Sequence, residues 1–140
     1  MRDRGHAPVE LALAAGLLLL PVALVVMSFG PWSERRVTAE AMAAEASRAV
    51  VLELDHAAGD TVVSEMTEAA GLDASSVRVG WCGASPATAA AGSCPLTRGS
   101  AVGVTVELWT PLVETPWGGV GGLWVSASHS EPIDLYRSLG

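Results

Sequence analysis

Two small sets of residues in this chain have types and spacings that suggest chemistry. The first is Gly5 followed five residues later by Glu10, a pair that stands directly against residues 11–33, 23 positions without one formal charge. At about 1.5 Å per residue that run is enough for the roughly 30 Å of helix that spans the hydrocarbon of a bilayer. An ionised Glu in mid-bilayer costs on the order of 2.5 to 3.5 kcal/mol, so a carboxylate at the mouth of such a run is either shallow or paired. The second set is Cys82 and Cys94, the only cysteines, bracketing an 11-residue Gly- and Ala-rich segment. In an oxidising compartment that pattern reads as a disulfide closing a loop, worth about 2 to 3 kcal/mol mainly through the unfolded state. Two free thiols or a metal pair are the alternatives. With His6, His56 and His129 scattered and no C-x-x-C, zinc is disfavoured.

Other reactive side chains form no recognisable constellation. There is no G-x-S-x-G elbow, H-E-x-x-H or Walker loop, and Gly118, Gly119, Gly121 and Gly122 do not match G-x-G-x-x-G. The chain is therefore read as a non-enzyme with no cofactor and no small-molecule substrate. His129 falls at a strand end as a surface residue, and His56 falls near a helix C-terminus, where the dipole favours it. The net charge is −7, with no Lys and the Arg beyond the leader dispersed, which argues against a nucleic-acid partner.

The elements that must position these residues follow from periodicity. Residues 33–57 carry Ala at nearly every third position and no Gly or Pro, which predicts a helix. Its expected stripe is Val37, Ala41, Ala44, Val51 and Leu54. Either an assembly partner or the domain's own sheet can cover such a stripe. Gly59 and Asp60 are expected to break this helix, with Asp60 capping a second one to about Ala70. Beyond Gly71 the period becomes two. Val77, Val79 and Trp81, then Val102, Val104, Val106 and Leu108, then Leu123, Val125 and Ala127 predict three antiparallel strands with one apolar face, and Pro111 to Gly122 is expected to be a loop between the last two. Trp32 is expected at the headgroup level, and Trp81, Trp109, Trp117 and Trp124 in core or interface. Pro21 and Pro31 each have the capacity to kink a helix.

The Gly5-x-x-x-x-Glu10 step resembles the processing site of type IV pilin-like proteins. The wider sequence, including Val37-Thr-Ala-Glu-Ala-Met-Ala-Ala-Glu-Ala-Ser-Arg-Ala, Ser126-Ala-Ser-His and Asp134-Leu-Tyr-Arg-Ser, resembles the TadE-like minor pseudopilins of tight-adherence (Flp) pilus systems, actinobacterial type. One departure is the proline, which in such proteins often lies about six residues after the Glu, whereas Pro21 lies eleven after Glu10. The resemblance implies cleavage between Gly5 and His6 by a prepilin peptidase, Glu10 as the assembly carboxylate, and partners among other pilins, pseudopilins and the pilus assembly machinery. It also implies a pilin-like α+β fold: a long N-terminal transmembrane helix continuing into a helical stalk, packed on a small antiparallel β-sheet.

The expected organisation is a leader at 1–5, a transmembrane segment at 6–33, an extracytoplasmic helix at 34–58 and a small α+β domain at 59–140. Arg2 and Arg4 place the N-terminus in the cytoplasm by the positive-inside rule, against the opposing Arg35 and Arg36, and the cysteines place the C-terminal domain outside. The alternative is a single-pass anchor carrying an extracytoplasmic binding module without a pilus role. A secretory signal fits less well, since the nearest A-x-A patterns, at Ala39 and Ala41, lie beyond the apolar run in a predicted helix.

Overall fold

The computed structural model describes residues 7–86, 94–115 and 117–136. Helix α1 spans Ala7–Glu53, α2 spans His56–Ala69, and a 3-10 turn at Ala74–Ser76 leads into β1 (Val77–Trp81), β2 (Ala101–Thr115) and β3 (Gly118–Pro132). The strands form one antiparallel sheet in the order β1-β2-β3. The architecture is thus α+β, helices packed on one small sheet. Among the described residues, no helix is long and apolar enough to cross a membrane.

Helix α1 is continuous through Pro21 and Pro31, and its 47 residues give it a length of about 70 Å. Its packed face is Ala39, Met42, Ala43, Ala46, Ser47 and Val50, all fully buried. The spacing of three and four residues is helical, but the face differs from the expected stripe: Val37 and Ala41 are exposed, and Ala44, Val51 and Leu54 only partly covered. With Ala on every side of this helix, small residues mark several equivalent stripes. The bulk of Met42 and Val50, opposite a sheet, selects among them. The one polar group on this face, Ser47, satisfies its hydroxyl by donating to the Ala44 carbonyl at 2.9 Å.

The sheet presents Val102, Val104, Val106 and Leu108 of β2 and Val125 and Ala127 of β3 to that helical face, all buried. The intervening residues of β2, from Gly103 to Pro111, are partly exposed, as a period of two requires when only one face is covered.

The helix break falls earlier than Gly59. Leu54 adopts φ 57°, and extended Asp55 caps α2 by accepting from the Ala57 amide at 3.0 Å. Asp60, expected as the cap, instead accepts from the Trp81 indole N–H at 3.2 Å. Gly59 lies inside α2 because a Cβ there would run into the Trp81 ring and the Val50 side chain. It permits close approach rather than breaking the chain. His56 is accordingly at the start of α2, not near a helix C-terminus.

The segment expected as a loop between the second and third strands is also corrected. Register pairs continue from Trp109↔Trp124 through Pro111↔Gly122 and Val113↔Val120 to Thr115↔Gly118, so it forms the outer part of a hairpin of two 15-residue strands. The Pro and Gly content that suggests a loop is tolerated because β1 pairs only with residues 104–108, leaving this stretch of β2 an edge. Gly122 is covered by the Trp109 ring, and Gly121 takes φ 63°, which accommodates a local irregularity in the ladder.

Substituting Gly59→Val should destabilise the domain by about 2 kcal/mol through overpacking against Trp81. The check is a urea titration of the full chain in detergent micelles, followed by Trp fluorescence; an unchanged midpoint would show that the Trp81 contact does not constrain α2.

Candidate functional site

Gly5 and His6, the expected processing site, lie outside the described residues. Glu10 is exposed in the first turn of α1, where the unpaired N–H groups of a helix end favour a carboxylate. Immediately after it the surface becomes apolar on every side. Leu17, Leu18, Leu19 and Leu20 are between 61 and 82 % exposed. Successive residues step by about 100° around a helix, so these four alone encircle it. Leu11, Leu13, Val22, Val25, Val26 and Phe29 extend the same surface. The chain's own domain covers none of these side chains.

The apolar run ends in a defined band. The Phe29 and Trp32 rings lie 5.5 Å apart, the Arg36 guanidinium carbon is 5.9 Å from the Trp32 ring centroid, and Arg36 Nε donates to Glu40 Oε1 at 3.2 Å. Aromatic rings are thus followed by charged groups along one helix. Above this band, a cleft of about 480 Å³ opens between α1 and β3, lined by Arg36, Glu40, Thr105, Ser126, Ser128 and His129 among others. His129 is exposed, and its Nε2 lies 3.3 Å from Glu131 Oε2.

The far end of the domain is organised around Trp81. This residue is buried on the helix side of the sheet, with its indole N–H on Asp60 and the His56 ring edge-on at 5.3 Å. Cys82, next in sequence, is paired with Cys94, their Cα atoms 5.5 Å apart. Such a separation suits a disulfide. His56 Nε2 is 3.2 Å from the Cys94 carbonyl; since a carbonyl only accepts, Nε2 carries the proton. His56 therefore fastens the start of α2 to the second cysteine.

Trp109 and Trp124 are not core residues. They lie on the uncovered face of the sheet, ring centroids 5.4 Å apart, with the Arg78 guanidinium carbon 3.7 Å from the Trp124 ring centroid. Trp117 at the hairpin turn is 93 % exposed. Strand alternation places Arg78 on the outward face, but only the register Arg78↔Glu107 and Trp109↔Trp124 reveals its aromatic neighbour. The links of His56 and Asp60 to Trp81 have no signal in the sequence, because they join residues on different elements. Among the described residues, no group of three or more His, Cys, Asp or Glu side chains is placed to hold a metal ion.

No model of a known protein family matches the chain, no characterised protein matches it, and no solved structure matches it.

The Cys94→Ser variant should lose about 2 to 3 kcal/mol of unfolding free energy, as expected for opening a short cross-linked loop. Chemical denaturation under oxidising conditions, with and without reductant, provides the measurement. Wild type should fall to the variant's stability on reduction, and the variant should not respond.

Proposed function

We propose that this chain is a membrane-anchored, pseudopilin-like component of a tight-adherence pilus or related secretion assembly. The observation that carries the reading is the continuity of α1. One unbroken helix passes from Glu10 through an apolar section exposed all round to a section packed by one face on a three-stranded antiparallel sheet. A helix apolar on all sides requires an apolar surrounding, either lipid or other helices.

The transmembrane assignment rests on the sequence of that section. The full uncharged run, residues 11–33, is 23 residues and exceeds the hydrocarbon thickness of about 30 Å. In the proposed topology the N-terminus is cytoplasmic and the sheet domain, with its paired cysteines, is outside.

Processing after Gly5 gives the Gly5–Glu10 spacing its role. Cleavage would place a new α-amino group on His6, four residues before Glu10. In an array of parallel helices that cation can pair with Glu10 of a neighbouring copy, offsetting desolvation of the carboxylate and setting axial register. The assembly would draw on the prepilin peptidase, other pilins and the assembly machinery as partners.

A second reading, a plain single-pass anchor with an extracytoplasmic binding module, is favoured by the exposed position of Glu10 in the first helical turn, where it needs no partner. The N-terminal sequence of the protein from native membranes separates the two. A chain starting at His6 supports the pseudopilin; an intact start in a host with active peptidase supports the plain anchor; a start near Met42 would mean a cleaved secretory signal.

For the pseudopilin, Glu10→Ala should leave membrane insertion intact and reduce assembly by at least about tenfold, the effect expected of losing a desolvated ion pair. Cross-linking between copies in native membranes measures it. Wild-type levels of cross-linked species in the variant would remove Glu10 from the assembly interface.

A further inference from the structure

The cleft between α1 and β3 carries both signs of charge in a fixed order along the helix. Arg36 lies three residues beyond Ser33, the last of the uncharged run, so it stands about 5 Å further along the axis; Glu40 stands about 6 Å beyond Arg36. We propose that this cleft receives the headgroup of a phosphatidylethanolamine-type lipid, its phosphate at Arg36 and its ammonium at Glu40. The inference rests on the reading of residues 11–33 as the membrane span.

The order of charges matches that ligand. In such a headgroup the phosphate is attached nearer the acyl chains and the amine projects outward, so the anion meets the guanidinium and the cation meets the carboxylate. Arg36 offers a planar set of donors suited to phosphate oxygens. Its contact with the Trp32 ring holds it at the level where aromatic residues meet headgroups.

Glu40 supplies the discrimination. A headgroup with negative charge alone would place its anion near an unmatched carboxylate. A quaternary choline ammonium would have no N–H to donate. A primary ammonium has three N–H donors, and the Glu40 carboxylate in the cleft wall can accept from them.

The existing ion pair does not close the cleft. Arg36 and Glu40 are both 55 % exposed in their side chains, and a surface pair of this kind contributes little to stability. Its members can rotate apart around an incoming zwitterion without exposing a buried charge. His129, at the same cleft, has Glu131 as a partner, so it adds no uncompensated cation.

The test uses the full chain reconstituted in vesicles of equal parts phosphatidylethanolamine, phosphatidylcholine and phosphatidylglycerol. Flotation is scored first, and lipid retained after mild detergent extraction is then counted by mass spectrometry. Wild type should retain the ethanolamine lipid about tenfold over each competitor, the range of one charge-assisted contact. Glu40→Gln should abolish the preference over phosphatidylglycerol, and Arg36→Gln should abolish retention, with circular dichroism unchanged in both. Equal retention of the three lipids by wild type, or an unaltered preference in Glu40→Gln, overturns the proposal. Saturable binding of soluble glycerophosphoethanolamine to the chain outside any bilayer, at the affinity seen for the lipid, overturns the lipid as occupant. Failure to float overturns the membrane reading itself, a result distinct from co-flotation without lipid preference.

Discussion

Everything in this fold depends on how closely α1 can approach the sheet. The packed face contributes Ala39, Ala43, Ala46 and Ser47, which are small, with Met42 and Val50 filling what remains. Opposite are Val102, Val104, Val106 and Leu108, β-branched or branched residues that form a regular ridge along β2. Small against branched lets the backbones come close, and the buried residues form one hydrophobic core. Burial of this kind stabilises by roughly 25 cal/mol per Å² of apolar surface, so a domain this thin has no spare area. The cross-link at Cys82 and Cys94 adds a covalent tie at the end of β1, where His56 of α2 meets the Cys94 carbonyl.

The same helix carries two kinds of surface. Between Leu17 and Leu20 its exposed apolar side chains point in all directions, whereas between Ala39 and Val50 one face is fully buried. The switch occurs across Phe29, Trp32 and Arg36, where aromatic and charged groups follow one another within two turns. Because the helix does not break at Pro21 or Pro31, any force or displacement on the apolar section is passed along one rod to the sheet. A loop at that point would have decoupled the two halves.

Much of this was legible in the residues. Strand periodicity located β1 and the inner parts of β2 and β3, and propensity located α1, because one covered face and a long Ala-rich segment leave direct patterns. The errors have a common physical origin. Gly59 was expected to end a helix and Pro111 to Gly122 to form a loop, since Gly and Pro are weak in isolated helices and strands. In the fold Gly59 lies against Trp81 and Gly122 under Trp109. A bulky neighbour supplied by a distant segment turns a poor local choice into a required one. The same limit hides His56, Asp60 and Arg78, whose partners are set by tertiary packing and sheet register.

Trp81 shows why that information is inaccessible one segment at a time. Its indole meets Gly59, Asp60 and His56 on α2, while its backbone pairs with Val104 and adjoins Cys82. His56 in turn reaches the carbonyl of Cys94. The covalent link and the ring contacts thus join the same three parts: the start of α2, the end of β1 and the segment entering β2. A closed circuit of this kind is stiffer than its separate contacts, since release of any one leaves the others to hold the geometry. That stiffness lies at the end of the domain away from the apolar section of α1, where the rod terminates. It gives the long helix a fixed seat, so that the orientation of the sheet domain relative to the helix is set by packing rather than by the Leu54–Asp55 turn alone.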